Sequence, residues 1–406
     1  MVQASRVEPA RTVQGTIRLA QQRAAGRSVL PLRSSKGKTM VTRRNFMLAA
    51  AAGAALPAVA AHGATESAYE QAVQGIWRAG STEALAGAAL TSELVRCATL
   101  AASSHNTQCW RFRAEPGAIV IRPDLTRRCP AIDPDDHHLY ASLGCAAENL
   151  IHAAQARGLH TDLTMDGGAL RLALTPTKPW ASPLYDAIPA RQSTRGEYDG
   201  WPLRRDDLDL LELAGNLPGV RVLMLTDEAM REKVLEFVTQ ANTAQLADPA
   251  LMAELKAWIR FSEAEAVESG DGLFARSTGN PSLPRWLGSP LFSLLVTPKG
   301  ENDKYAKQIR SSAGLAVFST DGNDPAHWVL AGRAYQRFAL QAAVLGVRTA
   351  FLNQPVEVAA LRPQFARMLG LGERRPDLVL RFGRGPLLPR SLRRPVAAVL
   401  DQEPVR

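Results

Sequence analysis

Apolar positions recur three and four apart in two stretches that align without a gap, Gly144 to Thr161 and Gly332 to Thr349. In the first, Ala146, Ala147, Leu150 and Ala154, with Leu143 just before it, mark one helical face. At a constant offset of 188, Gly144 falls on Gly332, Ala146 on Ala334, Ala154 on Ala342 and Thr161 on Thr349. Each stretch ends at a glycine, Gly158 or Gly346, suited to a left-handed C-cap. The pattern predicts two equivalent long helices and a chain built from two related units.

The surrounding elements fit that reading. Thr91-Ser92-Glu93 is expected to open a helix through Ala102, followed by the strand-like Ala118 to Arg122. Asp206-Asp207 is expected to open a helix through Ala214, followed by the strand-like Val220 to Leu225. Each unit then runs helix, loop, strand, long helix, which predicts an α+β fold of two tandem halves, residues 65–187 and 188–406. The second half is longer because of residues 247–300, which hold an expected helix from Pro249 to Glu268. Turn signals follow at Gly270-Asp271-Gly272, Gly279-Asn280-Pro281 and Gly288-Ser289-Pro290. This stretch reads either as a lid over a pocket or as a plain surface excursion. Ala313 to Ser319 has a buried-strand pattern, and Arg381 to Arg406 reads as a basic, proline-rich tail.

Charge changes the picture at one end only. The formal net charge is +9, but ten of the 48 basic side chains and one of the 39 acidic ones lie in residues 1–64, so the rest carries 38 of each. A nucleic-acid partner loses its support. The basic excess belongs instead to a leader, because Arg43-Arg44-Asn45-Phe46 precedes an Ala-rich apolar run from Met47 to Ala61. Residues 40–64 are expected to be a twin-arginine signal peptide, with 1–39 an upstream extension and Met40 a candidate start. The expected partner is then the Tat export machinery, and the expected location is the periplasm or outside the cell. The apolar run is short of the ~20 residues of a stable membrane span.

Two groups of residues could carry chemistry. Ser103, Ser104, Asn106 and Gln108 lie in one polar loop, where hydroxyls and amides can bond a planar heterocycle. Arg191, Ser193 and Arg195 alternate along an extended segment and so share a face, a set suited to a phosphate. Asp133 to His138 precedes the first long helix, where Asp135 or Asp136 is expected to act as N-cap. No second ligand cluster accompanies it, and no metal is assigned. Cys97, Cys109, Cys129 and Cys145 have neither metal-ligand nor disulfide-framework spacing. Neither a dinucleotide Gly-x-Gly-x-x-Gly after a strand nor a Gly-x-Ser-x-Gly elbow occurs.

The two groups together resemble the nitroreductase family, which carries an Arg-x-Ser-x-Arg segment and a Ser-Ser-x-Asn-x-Gln-Pro-Trp loop. The resemblance runs from about Glu93 to Leu400, and the leader points to its Tat-exported, Acg-type branch. It implies a nitroreductase-like FMN-binding fold whose two halves form an internal pseudo-dimer. FMN would be held by Arg191, Ser193, Arg195, Ser103, Ser104, Asn106 and Gln108. By position it adds Asn353 and Gln354 at the ring and Arg393 and Arg394 at the phosphate. Cys109 departs from the family, standing where proline is expected. The implied activity is two-electron reduction of a small aromatic or quinone-like substrate, with no catalytic side chain named and the electron donor open. Two other readings stand beside it: a flavin-binding or flavin-sequestering protein without turnover, and an exported binding protein lacking flavin. A chain with its dimer internal is expected to be monomeric, with one FMN.

Overall fold

The computed structural model describes residues 66–81 and 83–401. The expected upstream extension and twin-arginine leader lie outside the described residues. After helices α1 (Ala68–Ile76) and α2 (Gly87–Thr99) come the hairpin β1 (Trp110–Glu115) and β2 (Ala118–Pro123). The first long helix α3 (His137–Ala156) then leads into the hairpin β3 (Leu159–Asp166) and β4 (Ala169–Pro176). The second half repeats this with α4 (Arg205–Gly215), β5 (Val220–Leu225), β8 (Gly314–Thr320), the long helix α10 (Pro325–Val344), β9 (Arg348–Phe351) and β10 (Pro376–Gly383). The strand order is β1-β2-β4-β3 in one sheet and β5-β8-β10-β9 in the other, antiparallel throughout. In order of occurrence each half therefore pairs its strands 1-2-4-3, an α+β fold of two like units. A final strand, β11 (Leu400–Asp401), adds itself parallel to β1, so the end of the chain returns to the first half's sheet.

The two long helices pack against each other at the centre, and their matched glycines explain how. A Cβ on Gly144 would collide with the Val329 carbonyl, and one on Gly332 with the Ala141 carbonyl. Val329 is itself the counterpart of Ala141 at the offset of 188, so the two close approaches are exchanged by the repeat. Only glycine lets the backbones meet there. Gly158 and Gly346, at φ +74° and +68°, follow the last helical turns in the left-handed region as expected. Leu143, Ala146, Leu150, Ala334, Phe338 and Leu340 fill the shared core with almost no exposure. Each fully buried Leu or Phe contributes roughly 1.5–3 kcal/mol.

Between β5 and β8 the chain departs for 88 residues where the first half makes a two-residue turn, so the extra segment extends beyond 247–300 at both ends. It contains α5 (Glu228–Leu246), α6 (Pro249–Trp258), β6 (Ile259–Arg260), α7 (Glu263–Ser269), β7 (Leu273–Phe274), α8 (Arg285–Leu295) and α9 (Pro298–Arg310). The single helix expected from Pro249 to Glu268 is broken because Ile259 and Arg260 pair in parallel with Leu273 and Phe274. Val234, Leu235 and Val238 of α5 and Ile309 of α9 cover the outer face of the second sheet, against Leu315, Val317 and Val379. All eight residues of β10 are consequently buried, including Arg381 to Gly383 of the expected tail. β3 instead alternates half-buried and exposed along its length. Among the described residues no helix is long and apolar enough to cross a membrane.

Candidate functional site

A cavity of about 450 Å³ lies where the first half, the second half and the extra segment meet. Ala102 to His105 and the α3 face of His138, Ala141, Ser142 and Cys145 come from the first half. Arg195, Phe351, Asn353, Gln354, Glu357 and Leu378 come from the second. The extra segment supplies Asn242, Gln245, Tyr305 and an apolar wall that includes Leu251, Phe261, Leu291 and Phe292. The volume and the mix of apolar wall with a few polar groups suit a small-molecule site.

Of the expected site residues, Ser103, Ser104, Arg195, Asn353 and Gln354 line this cavity. The Ser103 hydroxyl accepts from the Gln108 amide at 3.0 Å, and the Asn353 side-chain oxygen accepts from the Val379 amide at 2.9 Å. Gln354 donates to the Tyr305 hydroxyl at 2.5 Å, while its buried Oε1 has no partner. Ser193 lies in the extended segment, bridged to Thr349, with the Tyr335 hydroxyl against its side chain.

Arg191 is 3% exposed and sits behind the wall, where its charge acts on Cys145 and Tyr335. Its Nη2 donates to the Leu100 carbonyl at 3.1 Å, but Nε and Nη1 are buried without partners. Arg390, absent from the expected set, has the same character. Its Nη1 is buried and unpartnered, and burial together with the Arg191 charge pulls its guanidinium down to about 10. Arg390 and Arg393 both approach the Trp77 ring, at 4.5 and 4.7 Å. Among the described residues no carboxylate lies within ion-pair distance of Arg191, Arg390 or Arg393. The sequence signal for Arg390 is only its place in the basic tail, shortly before the Arg393-Arg394 pair and Pro395.

Four expected residues are used otherwise. The Asn106 amide donates to the Gly272 and Leu392 carbonyls and accepts from Arg393, and Gln108 donates to the Gly270 carbonyl and accepts from the Arg394 amide. They strap the loop to the extra segment and the tail, outside the cavity lining. His105, Asn106 and Gln108 all have φ near +50°, and these straps hold a backbone that costs about 1–3 kcal/mol per residue. The Arg393 guanidinium is spent on the carbonyls of Thr99, Ala101 and Leu392 and on Asn106, and Arg394 bonds the Gln108 and Ala398 carbonyls. Cys109 is buried outside the cavity with its thiol pushed up to about 12 by burial, whereas Cys145 lines the wall.

The turn before α3 also differs from expectation. Asp136 stands at the N-cap but makes no side-chain cap; Asp133 accepts from the His138 and Leu139 amides at 3.0 and 2.9 Å instead. Asp135 pairs with Arg375 and Asp136 with Arg128. Among the described residues no group of three His, Cys, Asp or Glu side chains could hold a metal ion.

No family model matches the chain. Two curated proteins of Mycobacterium tuberculosis, from strains CDC 1551 and H37Rv, each named a putative NAD(P)H nitroreductase, are 26% identical to it over 320 residues. The matches cover 75% of this chain and 89% of each relative. Among solved structures, a nitroreductase with bound FMN from Bacteroides fragilis aligns at 15% identity and a TM-score of 0.32, covering 56% of this chain and 96% of that one. The FMN-dependent nitroreductase NfnB from Mycobacterium smegmatis, in complex with NADPH, aligns at 13% identity and 0.36, covering 54% and 96%. The chain is thus similar, over three quarters of its length, to two curated proteins that are each named a putative NAD(P)H nitroreductase.

Proposed function

We propose that the chain is an FMN-dependent oxidoreductase that carries out two-electron reduction of a small aromatic or quinone-like substrate, with one FMN per chain held between the halves. The observation that carries the reading is the unpaired cationic pair behind the cavity, Arg191 and Arg390, with three buried N–H donors left without acceptors. A buried charge without a partner costs several kcal/mol, so a site of this kind calls for an anion. The terminal phosphate of FMN fits that donor set, since guanidinium forks bond phosphate oxygens at short range. Thr194 adds a buried, unpartnered hydroxyl in the same segment. Ser103, Ser104, Arg195, Asn353 and the unpartnered Gln354 Oε1 offer donors and an acceptor to a polar ring system, and Arg195 would keep its edge electron-poor.

Bound FMN supplies the two-electron chemistry, and the protein supplies orientation and electrostatics. The apolar wall from the extra segment excludes water around an acceptor. His105 is neutral there, its ring pulled down to about 4 by burial and by Arg195. The same wall favours a second reading, a protein that sequesters flavin without turnover, because the extra segment closes over the site from α5 to α9. Native mass measurement of the purified protein tests the cofactor and its stoichiometry, with one FMN expected per chain. Anaerobic reduction followed by turnover with nitroaromatics or quinones separates the two readings. Two flavins per chain, or none after reconstitution, would overturn the assignment.

Export by the twin-arginine route belongs to the same proposal, since a cofactor held between two halves needs a folded cargo. Replacing Arg43 and Arg44 by Lys should leave flavin-loaded protein in the cytoplasm; normal export of that variant would show otherwise.

A further inference from the structure

We infer that Glu357, from its place in the cavity wall between Gln245 and His138, is the carboxylic acid that delivers a proton to the substrate. The inference rests on the proposed flavin-dependent reduction and adds to it a named side chain. Glu357 ends the short helix Gln354–Glu357 directly after β9, so it lies one helical turn from Gln354 and Asn353 on the same cavity wall. Gln245 of α5 donates to its Oε2 at 2.7 Å, and His138 Nε2 stands 3.5 Å from its Oε1.

What surrounds this carboxyl decides its state. Among the described residues no Lys or Arg forms an ion pair with it. Arg362, which acts on it, and Arg375, which acts on its neighbour His138, are both occupied: Arg362 donates to the Val356 carbonyl at 2.6 Å, and Arg375 binds Asp135 at 2.6 Å and Asn323 at 3.1 Å. Asp133, on the first half, adds a like charge, and Cys129 and Tyr305 are neutral at neutral pH because burial pushes both upward. Arg195, Lys304 and Glu301 line the same cavity, Lys304 paired with Glu301 and neither cation paired with Glu357. His138 is buried beside His137, Arg375 and Arg362, which together with burial hold its ring well below its ordinary value. It therefore brings no positive charge to draw the proton off. Burial, with only Gln245 and the distant Arg362 opposing it, pushes Glu357 up to about 7.

With FMN bound in this cavity, the cofactor would supply the hydride equivalent to a quinone, and one proton would still be needed to give the hydroquinone. The Glu357 O–H bond breaks, its proton goes to the anionic oxygen of the product, and the carboxylate recovers a proton from solvent. The extra segment then has a task beyond covering the site, because Gln245 fixes the rotamer of the acid.

The test uses flavin-loaded protein, reduced anaerobically with dithionite and mixed with benzoquinone across about pH 5.5 to 8.5, in wild type and Glu357→Gln. Wild type should reoxidise at a constant rate below about pH 7 and tenfold more slowly per unit above it, whereas the variant should be about a hundredfold slower at low pH and insensitive to pH. Infrared difference titration of the same two proteins should show a protonated-carboxyl band that disappears as pH rises through about 7 and is missing from the variant. Equal flavin content with an unchanged rate profile, or a Glu357 already ionised at pH 6, would overturn the inference. Absence of bound flavin would instead overturn the proposed function, and the infrared result would still report on the proton.

Discussion

The long helices α3 and α10 meet through the same exchanged glycine contacts, yet equivalent positions along them have opposite fates. On α3, His138, Ala141, Ser142 and Cys145 line a cavity. Their counterparts at the offset of 188 on α10 are Ala326, Val329, Leu330 and Arg333. Arg333 fills its position by reaching the fully buried Glu148 at 2.9 Å, which Arg337 also bonds at 3.1 Å. One side of the repeat thus keeps guanidiniums without carboxylates, and the other pairs them. A duplicated backbone does not make a duplicated site, because the pairing of buried charges decides whether a cavity wants an anion or excludes one.

The largest test of that comparison is at the crossing itself. Gly144→Val and Gly332→Val should each destabilise the protein by more than about 3 kcal/mol in urea unfolding, because a backbone carbonyl cannot move aside. Similar losses are expected at the two positions. A loss at one only would show that the halves do not share the crossing.

The charged groups sharpen it next. Arg333→Met should destabilise by roughly 3 kcal/mol, since Glu148 loses a partner in a buried site, and should leave flavin affinity alone. Arg191→Met should do the reverse. Flavin affinity should fall by about ten- to a hundredfold in equilibrium titration, while the flavin-free protein holds or gains stability on losing an unpaired buried charge. Equal effects of the two substitutions on flavin would erase the distinction between the two sides.

The carboxyls of the two sides should also answer pH in opposite directions. Near the cavity, burial is the leading cause that raises Asp133 to about 6, Glu357 to about 7 and Asp377 to about 7. A raised folded pKa contributes stability below the unfolded value that is lost as pH rises through the folded one. On the other side, burial is outweighed at Glu148 by Arg333, His152 and Arg337, which hold it well below the usual range. Its contribution is present above the unfolded value and is lost as pH falls below it. The melting temperature of the flavin-free protein should decline from about pH 5 to pH 8, and less steeply in Glu357→Gln. Arg333→Met should weaken the acid-side fall instead.

The smallest expected effect is at the ring end of the cavity. Ser104→Ala removes one neutral hydroxyl from the wall and should lower flavin affinity by about two- to tenfold without changing the unfolding midpoint. A change of stability alone would make Ser104 a brace rather than a ligand.

Periodicity and caps were enough for much of the architecture. The strand Val220 to Leu225 and the helix close to Asp206 to Ala214 were found where expected, as were the paired helices with their glycine ends. Apolar spacing, helix-opening residues and C-cap glycines act over a few residues, so they can be read along the chain. The break of α6 at Ile259 could not, because its cause is a strand partner fourteen residues away. Asp133 replaced Asp136 as the helix cap for a similar reason, since a left-handed residue at the N-cap turned the nearer carboxylates toward Arg128 and Arg375.

The site divides along the same line. Residue types and spacing singled out Ser103 and Ser104 in one loop and Arg191 and Arg195 on one face, the family resemblance added Asn353 and Gln354 and implied that the groups meet, and the repeat implied two equivalent helices. Asn106, Gln108, Arg393 and Arg394 carry the same hydrogen-bonding groups, yet they are consumed by carbonyls of the first half's loop, the tail and the extra segment. Glu357 and Arg390 carry no motif at all. Local spacing specifies a donor's chemistry and its face, but only the folded chain decides whether a distant carbonyl or carboxylate reaches it first, and a buried polar group left unmet is what makes a site.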